Sequence, residues 1–278
     1  MPTLTQDQPS TQIEPNAHDA IPDLPGDRSL DDLKHRLVKT YDDKAKHYDV
    51  DRAVNRATRY YFANSYRTLE SIMDKTHRDS VQVDMPVGTG KFLLHLRQRG
   101  YAHRMIGIDI AAGMLGVCAD ESQKSGADLI LSMGDAYKLP LPDNSVDIFT
   151  CLRLTHLLPK STWPAIIAEM RRVLRPGGQL IIEMRNVLRG ITCQMLVSAF
   201  RSRRDTHPHT FVSPPEASKL FTDWNDVRMQ GVGLDGTCTL SRFLPPVGKG
   251  LHLLEANSPV RYLSKTLLVQ ARKPKASC

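Results

Sequence analysis

The most constraining feature of this chain is the alternation of short apolar strands with helices that begins at residue 81. The pattern predicts strands at 81–84, 105–109, 129–131, 146–152 and 179–184, with helices at 91–99, 111–124 and 162–174. A further helix after Ser213 and strands near 227–232 and 262–271 follow. Strands that alternate with helices at this spacing form βαβ units, so we expect an α/β fold with a doubly wound, mostly parallel sheet.

Two different segments precede the sheet. Residues 1–28 contain five prolines and five acidic residues among polar side chains, a composition typical of disorder. Helical spacing then begins after a capping hydroxyl at Ser29. We therefore expect a disordered acidic tail, followed by a single domain over 29–278 that starts with a helical cap at 29–78.

Composition narrows the class of protein. The 278 residues are 41% hydrophobic and 24% charged, which excludes a fibrous or wholly disordered chain. No apolar run reaches the roughly 18 residues of a membrane-spanning helix, and the first thirty residues lack a signal-peptide pattern. The five cysteines are scattered, without a C-x-x-C pair: Cys118, Cys151, Cys193, Cys238 and Cys278. We therefore expect a cytoplasmic protein with reduced thiols and no metal site.

The net charge of +7 does not identify a binding partner. A basic surface can serve nucleic acid, an anionic membrane surface, or a substrate that carries a phosphate or carboxylate. Solubility alone explains the charge equally well, so charge does not choose among these partners.

The strongest local motif is Gly88-Thr89-Gly90, which lies between the first strand and its helix. Glycines there let the backbone turn sharply and approach a ligand, while the helix N-terminus presents free N–H groups. Asp109 ends the next strand, where a carboxylate can accept hydrogen bonds from ribose hydroxyls. Together these residues indicate a nucleoside at the carboxyl edge of the sheet. A dinucleotide fingerprint would need a third glycine where Leu93 stands, so a nicotinamide cofactor is the less favoured alternative.

Residues 84–90 resemble the first motif of class I S-adenosylmethionine-dependent methyltransferases, Asp-x-Gly-x-Gly-x-Gly, with Pro86 in place of the first glycine. Four more segments resemble that family in the same order along the chain: 107–115, 134–136, 139–147 and 172–178. Upstream, 41–49 resembles the N-terminal helix of small-molecule members, including quinone-biosynthesis methyltransferases. The resemblance implies a Rossmann-like, seven-stranded sheet with a cofactor-binding core at 79–185 and a substrate-side cover at 186–278.

The resemblance also implies residue roles. The cofactor S-adenosyl-L-methionine is expected to contact Tyr41, Asp84, Pro86, Gly88, Gly90, Asp109, Ile110, Met114, Gly134, Asp135, Ala136 and Cys151. In that family Asp109 would bind the ribose and Met114 would pack on adenine. Asp135 would pair with the adenine amino group, and Tyr41 would close over the methionine end.

Two residues after the fourth strand are candidates for the chemistry. Methyl transfer from an activated sulfonium mainly needs alignment and exclusion of water, but an oxygen nucleophile usually also needs a base. His156 is the candidate base, and Arg153 could either clamp an anionic substrate or pair with an acid of the N-terminal helix. The basic run 201–204 and the pair His207 and His209 fall where the family's substrate cover is expected.

The predicted function is therefore methyl transfer to a small-molecule or lipid-like acceptor, at oxygen, nitrogen or carbon. RNA methylation is less favoured, because residues 151–154 read Cys-Leu-Arg-Leu where amino-methylating members carry Asn/Asp-Pro-Pro-aromatic. A non-catalytic cofactor-binding module is also less favoured, because the ribose and adenine acids are both present. No nucleic-acid partner is expected, whereas peripheral membrane contact and oligomeric state stay open.

Overall fold

A computed structural model of the chain describes residues 30–53, 56–73, 80–102, 104–190, 210–233 and 262–275. Several sequence predictions fall outside these residues: the acidic tail, Ser29, the basic run 201–204, His207, His209, Cys193, Cys238 and Cys278. Within the described ranges, no helix is long and apolar enough to cross a membrane.

Seven strands form one sheet. They are β1 (Val81–Asp84), β2 (Arg104–Asp109), β3 (Leu129–Met133), β4 (Val146–Cys151), β5 (Leu174–Arg185), β6 (Asn225–Val232) and β7 (Thr266–Arg272). The order across the sheet is β3-β2-β1-β4-β5-β7-β6, with β7 antiparallel to both of its neighbours and the first five strands parallel. The predicted Rossmann-like, doubly wound sheet is confirmed. Because the strand order reverses between β1 and β4, a crevice opens at their carboxyl ends.

Helices cover both faces of this sheet. They are α1 (Leu30–Lys44), α2 (Tyr48–Ala53), α3 (Arg56–Ile72), α4 (Lys91–Gln98), α5 (Ala112–Ser125), α6 (Trp163–Val173) and α7 (Pro214–Lys219). Successive strand residues point to opposite faces, so Ile148 joins the apolar cluster beneath α3 and α4, and Phe149 joins the cluster beneath α6. Both faces of the central strands are therefore apolar, as buried parallel strands require.

The segment 41–49, which resembles a single helix of the family, is instead divided between two helices. Helix α1 ends at Lys44, and α2 begins at Tyr48 after a turn. The turn buries Ala45 against Ala111 and Met114 at the start of α5. It also brings the rings of Tyr41 and Tyr48 to 6.0 Å between centroids.

Strand β5 is longer than the sequence predicts, because residues 175–178 join it rather than forming a separate turn. The N–H of Gly177 donates to the carbonyl of Lys273 (2.8 Å), and the N–H of Lys273 donates to the carbonyl of Gly178 (3.0 Å). A partner almost one hundred residues away thus draws the turn residues into the sheet.

Candidate functional site

A cavity of about 460 Å³ lies at the carboxyl edge of the sheet, where β2, β1 and β4 end. We call one part of its lining the glycine-turn end: Leu37, Tyr41, Gly88, Asp109, Ile110 and Met114. We call the other part the α3 end: Arg59, Phe62, Tyr66, Arg153, Leu154 and Leu157. Pro86 also lines the cavity. The predicted cofactor residues that it gathers are Tyr41, Pro86, Gly88, Asp109, Ile110 and Met114.

The two glycines of the turn are needed for different reasons. Gly88 has φ +56°, and a Cβ added to it would meet no atom within 4 Å, so the turn leaves open space beside the cavity. Gly90 has φ +77°, and its Cβ would lie 2.4 Å from Sγ of Cys118 in α5. Gly88 therefore leaves room for a ligand, whereas Gly90 allows α5 to pack closely behind the turn.

Asp109 is held in place by backbone amides. Its Oδ2 accepts from the N–H of Gly88 (2.8 Å) and its Oδ1 from the N–H of Ala111 (3.0 Å). Burial raises the pKa of Asp109 above its ordinary value, although these hydrogen bonds act to lower it. A carboxylate offers about four acceptor positions. Asp109 therefore still has acceptor capacity for a ribose hydroxyl.

Helix α1 closes the glycine-turn end. Leu37 and Tyr41 line the cavity, and Oδ1 of Asp42 accepts from the N–H of Gly113 at the start of α5 (2.7 Å). Met114, on the same turn of α5, is buried beside them. Open space at Gly88, a fixed carboxylate and this apolar wall together fit the adenosyl part of the expected cofactor.

The loop that was predicted to contact adenine does not line the cavity. Oδ2 of Asp135 pairs with Nζ of Lys34 in α1 (2.7 Å), and Oδ1 accepts from the N–H of Tyr137 (3.1 Å). A Cβ on Gly134 would lie 2.7 Å from both Ile108 and Pro140, so close packing explains this glycine. Neighbouring Ala136 is buried in the core. The structure thus uses Asp135 to fasten α1.

Two further predicted residues, Asp84 and Cys151, are buried at the ends of β1 and β4 and do not line the cavity. Oγ1 of Thr150 donates to Oδ1 of Asp84 (2.6 Å). Burial raises the pKa of the Cys151 thiol well above its ordinary value, which makes it an unreactive core residue.

Burial raises the pKa of Asp84 from an ordinary 3.8 to about 7, with the hydrogen bond from Thr150 opposing the shift. A carboxyl with a raised pKa holds its proton more tightly in the folded state, so its contribution to stability is lost as pH rises from about 4 to about 7. When the pH is raised from 5 to 8, we expect the free energy of unfolding of Asp84→Asn to rise by roughly 2 kcal/mol relative to that of wild type. Urea unfolding at both pH values measures this, and a pH-independent difference would contradict it.

His156, the predicted base, lies outside the lining of the cavity. It occupies a buried 3₁₀ turn, Thr155–Leu157. Oγ1 of Thr155 donates to the carbonyl of Glu183 (2.9 Å), and Nε1 of Trp163 donates to the carbonyl of Thr155 (3.1 Å). These bonds tie Thr155 to β5 and α6, so that Leu157 of the same turn lines the cavity and His156 does not.

Arg153 does line the cavity, together with residues of α3 that were not among the predicted site residues. Its guanidinium lies 5.0 Å from the ring centroid of Phe62. Phe62 and Tyr66 are one helical turn apart with ring centroids 6.3 Å from each other, and Tyr66 in turn contacts Phe92 of α4 at 5.4 Å. The i, i+4 spacing of two aromatic residues was the available signal.

Helix α2 also contacts the glycine turn. Oγ1 of Thr89 donates to Oδ1 of Asp49 (3.0 Å), and Nζ of Lys91 lies 3.3 Å from Oδ2 of the same residue. Lys91 also pairs with Glu121 of α5 (3.2 Å). The lysine beside the cavity is therefore neutralised by the protein itself.

Part of the chain resembles known proteins in sequence. Residues 83–178 match the sequence model of the family described as "Methyltransferase domain". The chain is 29% identical over 138 residues to a demethylmenaquinone methyltransferase of Deinococcus radiodurans, covering 50% of this chain and 55% of that one. It is 32% identical over 148 residues to a malonyl-[acyl-carrier protein] O-methyltransferase of Yersinia pestis, covering 53% and 49%. The chain thus spans about half the length of the curated relatives it matches.

The fold comparison extends beyond the matched segment. A solved structure of a SAM-dependent methyltransferase from Thermotoga maritima superimposes with a TM-score of 0.54 at 15% identity, covering 87% of this chain and 98% of that one. At this identity the likeness shows the fold alone. Residues 83–178 thus match a methyltransferase domain in sequence, and the described sheet matches a SAM-dependent methyltransferase in fold.

Proposed function

We propose that the chain binds S-adenosyl-L-methionine at the glycine-turn end of the cavity and transfers its methyl group to a small-molecule acceptor at the α3 end. The observation that carries the proposal is that one cavity is lined by a carboxylate, Asp109, at one end and by aromatic and apolar side chains at the other. The matched relatives are named for demethylmenaquinone and for malonyl-[acyl-carrier protein], which supports an acceptor other than nucleic acid.

The bound cofactor would supply an activated methyl group on a sulfonium. Asp109 orients the ribose, while Tyr41 and Met114 pack against the adenosyl part. Phe62 and Tyr66 exclude water from the acceptor and limit its orientation. Because His156 lies outside the cavity, we attribute the contribution of this chain mainly to alignment and exclusion of water.

Calorimetric titration of the purified protein with S-adenosylhomocysteine tests the proposal, with NADH as the control ligand. We expect micromolar binding of S-adenosylhomocysteine and none of NADH. Transfer of labelled methyl groups to a panel of hydroxyl, amine and carbon acceptors would then identify the acceptor atom. Binding of NADH alone, or of neither ligand, would refute the proposal.

A further inference from the structure

Arg153 is a cation in the cavity wall that no side chain of the described residues pairs. Among the described residues its side chain makes no hydrogen bond or ion pair, and its guanidinium lies 5.0 Å from the ring centroid of Phe62. Glu183 and Asp84 are near enough to act on its charge. Lys91, the lysine in the same lining, is paired with both Asp49 and Glu121. The third cation of the lining, Arg59, has an exposed side chain, whereas that of Arg153 is half-buried. Arg153 is therefore the partly buried cation of the wall whose donors no described acidic group takes up.

The surroundings of Arg153 keep it charged. Burial acts to lower its pKa, but neighbouring ionisable side chains, Tyr66 and Glu183 foremost, raise it overall. Glu183 is itself 6% exposed, and its Oε1 accepts from the hydroxyl of Tyr61 (2.8 Å). Glu183 is thus engaged by Tyr61, and it makes no hydrogen bond to the guanidinium of Arg153.

The backbone at Arg153 is also held in an unusual conformation. Its φ of +62° lies in the left-handed region, which costs a non-glycine residue free energy. In the described part of the chain the other non-glycine residues with positive φ are Asn144 and Asp226, the residue types that tolerate it. Arg153 lies just after β4, and this backbone conformation, which is unfavourable for an arginine, directs its side chain to the α3 end of the cavity.

We propose that Arg153 binds an anionic group, a carboxylate or phosphate, on a methyl acceptor whose apolar body packs against Phe62, Leu154 and Leu157. This inference rests on the proposed function. Guanidinium groups bind such anions through paired, charge-assisted hydrogen bonds, and these are strongest where water is excluded. The carboxylate of the cofactor's methionine is the other source of such an anion, so the experiment separates the two.

The test uses protein saturated with S-adenosylhomocysteine, so that the cofactor's own carboxylate is already bound. Octanoate, octyl phosphate and 1-octanol are titrated as probes that share an apolar chain. We expect at least one anionic probe to bind at least tenfold more tightly than octanol. Arg153→Met should abolish this preference while leaving the affinity for S-adenosylhomocysteine within twofold, and Arg153→Lys should retain part of it.

The matched control is Arg104→Met, which removes the same charge from an exposed position at the opposite edge of the sheet and should keep the preference. The inference is wrong if wild type shows no preference for anions or if Arg153→Met retains it. It is also wrong if Arg153→Met weakens binding of S-adenosylhomocysteine more than tenfold but leaves binding of 5′-methylthioadenosine unchanged, since that ligand lacks the methionine carboxylate. Failure of wild type to bind S-adenosylhomocysteine would instead refute the proposed function.

Discussion

Replacing Asp109 with alanine is expected to weaken binding of S-adenosylhomocysteine about a hundredfold, or roughly 3 kcal/mol. Two effects add. The ribose hydroxyls lose their charged acceptor, and the amides of Gly88 and Ala111 lose the carboxylate that positions them. Calorimetric titration of wild type and variant measures the change directly.

The control is Asp109→Asn, which keeps the shape of the side chain and one acceptor oxygen. Its affinity for S-adenosylhomocysteine should lie between those of wild type and Asp109→Ala. In the absence of ligand, Asp109→Ala should also destabilise the fold by about 1–3 kcal/mol, because buried amides are left unpaired. An affinity within threefold of wild type would show that Asp109 does not bind the ribose.

Replacing Gly90 with alanine is expected to destabilise the protein by roughly 3–5 kcal/mol. Its φ of +77° disfavours any side chain, and the new Cβ would lie 2.4 Å from Sγ of Cys118. Urea-induced unfolding, followed by circular dichroism, measures the loss.

Two variants separate the causes of that loss. Cys118→Ala removes the overlapping sulfur, so Gly90→Ala should cost much less in that background. Gly88→Ala has a similar backbone conformation with no clash, so it should cost only about 1 kcal/mol of stability while weakening S-adenosylhomocysteine binding. Equal stability losses at positions 88 and 90 would contradict this account.

Most of the sheet could be predicted from sequence because its signals are local. The alternation of apolar residues and the turn glycines defined β1 at the bounds that the structure shows. The start of β5 could not be predicted in this way, because residues 175–178 become strand only through their pairing with Lys273. The break between α1 and α2 likewise depends on Ala45 packing against α5.

In the candidate site, too, the contacts that follow from local sequence signals could be predicted, and those that depend on distant residues could not. Gly88 and Asp109 lie together because both belong to adjacent βα units, so their spacing carried the information. The ion pair of Asp135 could not be predicted, because its partner, Lys34, is 101 residues away in the sequence. The wall formed by Phe62 and Tyr66 was missed because a helix outside the βα repeat supplies it.

The two bonds that fasten α1, from Lys34 to Asp135 and from Gly113 to Asp42, have a consequence for ligand exchange. Any ligand held against Leu37 and Tyr41 gives α1 additional contacts. Docking of the helix and occupancy of the cavity are therefore linked equilibria, and each strengthens the other by the same free energy. A bound ligand should accordingly slow amide hydrogen exchange throughout α1, and detachment of that helix should set how long the ligand stays.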